Sequence, residues 1–126
     1  MTLSVDLYIP GPDGSYEEIL DVPEGCSDLA GFERWRTVVW GSDAMRALGA
    51  RYFPVLAADN LLVPPDEVPA FRRECALVRR NIPLVAPEDD RNWTYEQFVD
   101  GISYRLGNIE DAALRAERIG AGVMIW

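Results

Sequence analysis

Leu3-Ser4-Val5-Asp6-Leu7-Tyr8-Ile9, followed by Pro10-Gly11-Pro12-Asp13-Gly14, decides the fold. Leu3, Val5, Leu7 and Ile9 alternate with Ser4, Asp6 and Tyr8. A period of two is that of a strand with one buried face. The Pro/Gly run then supplies turn chemistry. Tyr16 to Val22 resumes a β-like pattern, so a hairpin is expected, closed by a loop of about five residues. Pro23-Glu24-Gly25 ends it.

Helical periodicity takes over downstream. Ser27 can cap a helix starting at Asp28, with Leu29, Phe32, Trp35, Val39 and Trp40 on one stripe and Gly41 as its stop. Ser42 caps a short helix from Asp43 to Leu48, ended by Gly49. Arg51 to Asn60 reads as a buried extended segment, with Pro54 excluding a central strand. Val63-Pro64-Pro65 leads into a helix with Asp66 and Glu67 in its first turn and a stripe of Val68, Phe71, Cys75, Val78 and Ile82. Pro83 to Asn92 is a loop. Thr94-Tyr95-Glu96-Gln97 has the capping-box pattern of a helix beginning at Tyr95. Gly107-Asn108 should interrupt that helix, and Asn108 should cap a further one from Ile109 to Ile119. Val123 to Trp126 reads as a final short strand. The expected fold is α+β: a small antiparallel sheet, built from the N-terminal hairpin and a C-terminal strand, packed against several helices.

At 126 residues and 48% hydrophobic, the chain suits one globular domain, residues 1–126, with a core of its own. Its apolar runs are far shorter than the roughly 20 residues a spanning helix needs. Its start, Met1-Thr2-Leu3-Ser4-Val5-Asp6, has neither the basic nor the apolar region of a signal peptide. A cytoplasmic protein with no membrane association is the expectation. Two Cys, Cys26 and Cys75, are then expected to stay reduced. Cys75, on the apolar stripe, reads as a small buried hydrophobe.

Charge is the feature that speaks about partners. The chain has 21 Asp+Glu against 12 basic residues, all Arg, with no Lys and no His, for a net charge of −9. Residues 1–33 hold eight acids and no Arg. Arg72-Arg73 and Arg79-Arg80 form the one basic cluster, and pairing with the protein's own acids accounts for it better than nucleic-acid binding does.

Catalytic patterns fail in turn. Without His there is no triad base and no usual zinc set, and without Lys there is no P-loop. Asp59 to Glu67 lacks the central Gly of a calcium loop. Carboxylates adjacent in sequence, such as Glu17-Glu18 or Glu88-Asp89-Asp90, make a solvated acidic face rather than a pair set across a cleft. No cofactor is expected. Trp93 stands between the acidic triplet and a helix cap, a place that suits an interface anchor. It also stands at N′ relative to Phe98 at N4, which suits a hydrophobic staple, and the spacing favours the staple.

In size, charge and lack of catalytic groups the chain resembles the small acidic bacterial immunity proteins that neutralise partner toxins. Its exclusive use of Arg fits a GC-rich genome. The stretch Leu61-Leu62-Val63-Pro64-Pro65-Asp66-Glu67-Val68-Pro69-Ala70-Phe71 looks like the start of a helix in many small bacterial proteins. The resemblance implies a non-catalytic binder of a basic protein partner, a toxin. The residues expected at that contact are Glu17, Glu18, Asp21, Glu88, Asp89, Asp90 and Trp93. The rival expectation is a small enzyme or ligand-binding domain with a carboxylate/Arg-lined pocket between sheet and helices.

Overall fold

The computed structural model describes residues 1–126. The alternating N-terminal segment forms strand β1 (Thr2–Pro10), and the turn returns the chain as β2 (Tyr16–Ile19). The Asp13 carboxylate accepts from the amide and the hydroxyl of Ser15 at 3.1 and 2.7 Å, which fixes the turn. The remaining elements are β3 (Leu29–Phe32), α1 (Asp43–Ala47), β4 (Leu61–Val63), α2 (Val68–Arg80), α3 (Ile82–Val85), α4 (Tyr95–Ile119) and β5 (Gly122–Ile125). All five strands pair antiparallel in the order β2-β1-β5-β4, with β3 also on β1. The fold is α+β, as the sequence predicts.

The C-terminal strand takes the central place in this sheet. Val5 pairs with Ile125 and Leu7 with Val123, while on the other edge of β5 Leu61 pairs with Ile125 and Val63 with Val123. Every residue of β5 is buried. Successive residues point to opposite faces, so both faces of β5 are covered and it needs no polar alternation. Under the sheet lies one core of 29 residues. It includes Leu3, Val5 and Leu7 of β1, Phe71, Cys75 and Val78 of α2, and Phe98, Ile102, Leu106 and Ile109 of α4. Trp35 and Trp40 are buried in it, 2% and 0% exposed.

Several local expectations are corrected. The helix expected from Asp28 is instead β3, a turn, and one π-helical turn over Arg36–Trp40. Thr2 pairs with Phe32 and Leu3 with Gly31, so the half of β1 that β2 leaves open takes these residues into the sheet. Gly31 sits at φ +122°, outside the helical region, with the Trp35 ring where a side chain would project. The Ser27 hydroxyl accepts from Leu29 N at 3.2 Å, a turn contact rather than a helix cap. The second hairpin strand stops at Ile19, short of Val22. Leu61–Val63 is a strand, because the free edge of β5 is available to it.

Residues 53–57 are a 3-10 helix rather than an extended segment. The amides that lead into it are satisfied by Glu74, a carboxylate only 8% exposed on the inner face of α2. Glu74 accepts from the backbone N–H groups of Arg51, Tyr52 and Phe53 at 2.6 to 3.1 Å. Helix α2 ends at Arg80, and Ile82 opens α3 with its side chain still in the core.

Helix α4 runs unbroken for 25 residues through Gly107 and Asn108. Both serve tertiary contacts instead of a break. Asn108 Nδ2 donates to the Leu29 carbonyl at 2.9 Å, and the Arg79 guanidinium lies 3.6 Å from where a Gly107 Cβ would sit. The capping box at Thr94 and Gln97 forms as expected. No helix is long and apolar enough to cross a membrane.

Candidate functional site

Two regions collect the residues that could meet a partner or ligand, and they lie at opposite ends of β1. The first is the outer edge of the sheet. There β2 and β3 together form one interrupted strand alongside β1. Leu20 N donates to the Leu7 carbonyl and Val5 N to the Asp28 carbonyl, at 2.9 and 2.8 Å. Residues 21–27 therefore leave the sheet and rejoin it two positions further along β1, a separation of about 7 Å. A loop with ends that close has the form of an Ω-loop. Cys26 N to the Pro23 carbonyl, 3.1 Å, makes the turn at its tip, and Gly25 at φ +85° permits it.

This edge carries Glu17 and Glu18 on β2, Asp21 and Glu24 on the loop, and Asp28 at its return. All but the half-buried Asp28 are exposed. None of the five reaches an Arg within ion-pair distance. Six other acids do, namely Glu33, Asp43, Asp90, Glu110, Asp111 and Glu117. Arg72 and Arg79 are thereby engaged with Glu117 and Glu110 on α4, so half of the basic cluster binds its own chain. Asp21 shares a concavity of about 240 Å³ with Arg115, Arg118 and Ile119 without pairing to either cation.

The second region is the 86–94 loop and the aromatic surface beneath it. Here the expected acids do structural work. Asp89 accepts from Tyr95 N at 2.6 Å. Asp90 accepts from Asn92 N and Trp93 N at 2.8 Å each, and pairs with Arg34 at 2.7 Å. The Arg34 guanidinium, and then the Trp93 and Asn92 amides, hold the Asp90 carboxyl below the usual carboxylate range. Glu88 is exposed and makes no ion pair.

Trp93 turns inward. Its ring lies 5.5 Å from Phe98, 5.8 Å from Phe32 and 5.9 Å from Trp35, centroid to centroid. The contact with Phe98 is the staple that the spacing favours. Arg105 meets the same cluster from α4. Its Cζ lies 4.8, 5.2 and 5.7 Å from the ring centres of Phe32, Trp35 and Trp93. Desolvation there lowers the Arg105 pKa from its ordinary value. Phe32, Arg34, Asn92 and Arg105 were not legible as site residues, since they meet only when β3, the loop and α4 converge. The local clue was Gly101, an interior glycine in a strong helical pattern.

Glu18 lies across from Ile9, and Phe32 across from Thr2. Seven residues of strand separate them, about 23 Å. The seven residues expected at a contact thus divide: Glu17, Glu18 and Asp21 at the outer edge, Glu88, Asp89, Asp90 and Trp93 at the other end. No three His, Cys, Asp or Glu side chains converge as metal ligands. Cys26 is half-buried on the loop, and Cys75 is buried in the core, where burial pushes its thiol pKa upward. Neither forms a disulfide.

The chain matches no family model, no curated protein and no solved structure.

Proposed function

We propose that this chain is a non-catalytic binding protein whose acidic edge engages a basic protein, with neutralisation of a toxin as its biological role. The supporting observation is the set of five carboxylates at Glu17, Glu18, Asp21, Glu24 and Asp28, unmatched by any Arg, along one sheet edge and its projecting loop. Carboxylates ranged along an edge, rather than facing each other across a cleft, build a field and not an acid–base pair. Such a field speeds encounter with a cationic surface and sets its orientation. In this reading the protein acts in the bacterial cytoplasm, where its two thiols stay reduced.

The test uses the protein encoded beside it in the genome, purified and immobilised. Reversing Glu17, Glu18 and Asp21 to Arg should slow association about tenfold or more at low salt, with the difference vanishing at high salt. An association rate indifferent to both salt and charge reversal overturns the reading.

One observation favours the rival, a ligand-binding domain. A groove of about 590 Å³ opens between Met1, Phe32, Glu33, Arg34, Trp35, Asn92, Trp93 and Phe98.

A further inference from the structure

The aromatic groove is independent of the acidic edge, and its chemistry narrows what it can hold. Four walls are rings, Phe32, Trp35, Trp93 and Phe98, and the volume of about 590 Å³ falls in the range of small-ligand sites. Rings so arranged can cage a cation. That role is already taken: Arg105 lies over Phe32, Trp35 and Trp93 without itself lining the groove. Arg105 is also the one half-buried Arg with no ion-pair partner, its sole hydrogen bond being a 3.3 Å contact to the Gly101 carbonyl. A cation held against the ring cluster disfavours a second cation and favours an electron-rich or anionic guest.

The rim says where the anionic group goes. Glu33 and Asp90 are each matched, by Arg36 at 2.6 Å and Arg34 at 2.7 Å. Arg34 uses one terminal nitrogen on Asp90 and leaves its other N–H donors unused. The Asn92 side-chain amide makes no hydrogen bond to the chain, although its backbone N–H is bonded to Asp90. Donors are therefore in excess at the mouth of a ring-lined groove. A carboxylate meets the Arg fork with two parallel hydrogen bonds. We infer that this groove binds a planar aromatic carboxylate, its ring stacked against the partly exposed Phe32 and Trp93, over the buried Trp35, and its carboxylate on Arg34 and Asn92.

The experiment titrates the 15N-labelled protein with sodium 1-naphthoate and, separately, with 1-naphthol, reading the indole N–H resonances. The indoles of Trp35 and Trp93 should shift together and saturably, while Trp126, bonded to Asp6 at the sheet, stays fixed. Naphthoate should bind about tenfold tighter than naphthol. Arg34→Gln should remove most of that preference. Because Arg34 also holds Asp90, Asn92→Ala provides a second variant that touches no ion pair, expected to weaken naphthoate a few-fold. The inference is overturned if the two indoles show no saturable shift. It is overturned equally if naphthol binds as well as naphthoate, or if both variants bind naphthoate as the parent does. None of these outcomes bears on the acidic edge.

Discussion

The Trp93 ring occupies the space that a side chain at Gly101 would need: a Cβ there would collide with Cζ3 and Cη2 of the indole. This relationship explains a glycine inside a 25-residue helix. In an exposed helix Gly→Ala gains about 1 kcal/mol. Here the alanine must displace the ring that closes the aromatic cluster. Gly101→Ala should instead cost about 1–3 kcal/mol, the scale of overpacking in a close-packed site. Urea denaturation measures it, and Trp93 emission should shift to the red as the indole is expelled. A variant more stable than the parent would show that Trp93 has room to move.

Glu74 organises the chain entering the 3-10 helix over residues 53–57. Its two carboxylate oxygens receive three backbone amides, one of them fully buried. Glu74→Ala strands those donors, and the loss should reach about 3 kcal/mol or more, since each unsatisfied buried donor costs on the order of 1–3 kcal/mol. Glu74→Gln keeps one acceptor oxygen and should lose less. Equal effects of the two variants would contradict this account, which ranks them by the acceptors left behind.

Acid should loosen the 86–94 loop through Asp90. The Arg34 guanidinium and the Trp93 and Asn92 amides depress its folded-state pKa, so the unfolded chain binds that proton more tightly. The stabilisation is fully present above the unfolded value of about 3.9 and drains as pH falls through the lower folded value. Asp13, held down by the Ser15 hydroxyl and amide, acts in the same direction at the hairpin turn. Asp90→Asn should flatten the acid limb of a stability-versus-pH curve and leave the neutral region flat. An acid limb unchanged by the substitution would place the acid-sensitive group elsewhere.

Where the sequence was legible, a local pattern matched its tertiary use. Leu3, Val5 and Leu7 bury the face that the alternation advertised, the capping box at Thr94 and Gln97 forms, and the stripe Val68, Phe71, Cys75, Val78 faces the core; Tyr8, on the other face of β1, is buried as well. It misled where one pattern served two geometries. Leu29, Phe32, Trp35 and Val39 have helical spacing, yet β1 offered a vacant edge to the first two. Their burial was foreseeable, their backbone was not. Gly107-Asn108 looked like a break, yet Asn108 donates to the Leu29 carbonyl and Gly107 lies beside the Arg79 guanidinium of α2.

By itself the sequence determined the strand-turn-strand start, the helical faces of α2 and of both halves of α4, the aromatic core and the surplus of acid over base, because these depend on period, capping and composition. Which acids remain unmatched was decided by the tertiary structure. Folding carries Arg34 to Asp90, Arg72 to Glu117 and Arg79 to Glu110 across 31 to 56 positions of chain, and it forms no ion pair with the acids of residues 17–28, although Arg115 and Arg118 share a concavity with Asp21. The same holds for the ring-lined groove. Its walls come from β3, the turn after it, the 86–94 loop and α4, and no local period relates residues that meet only when those elements pack.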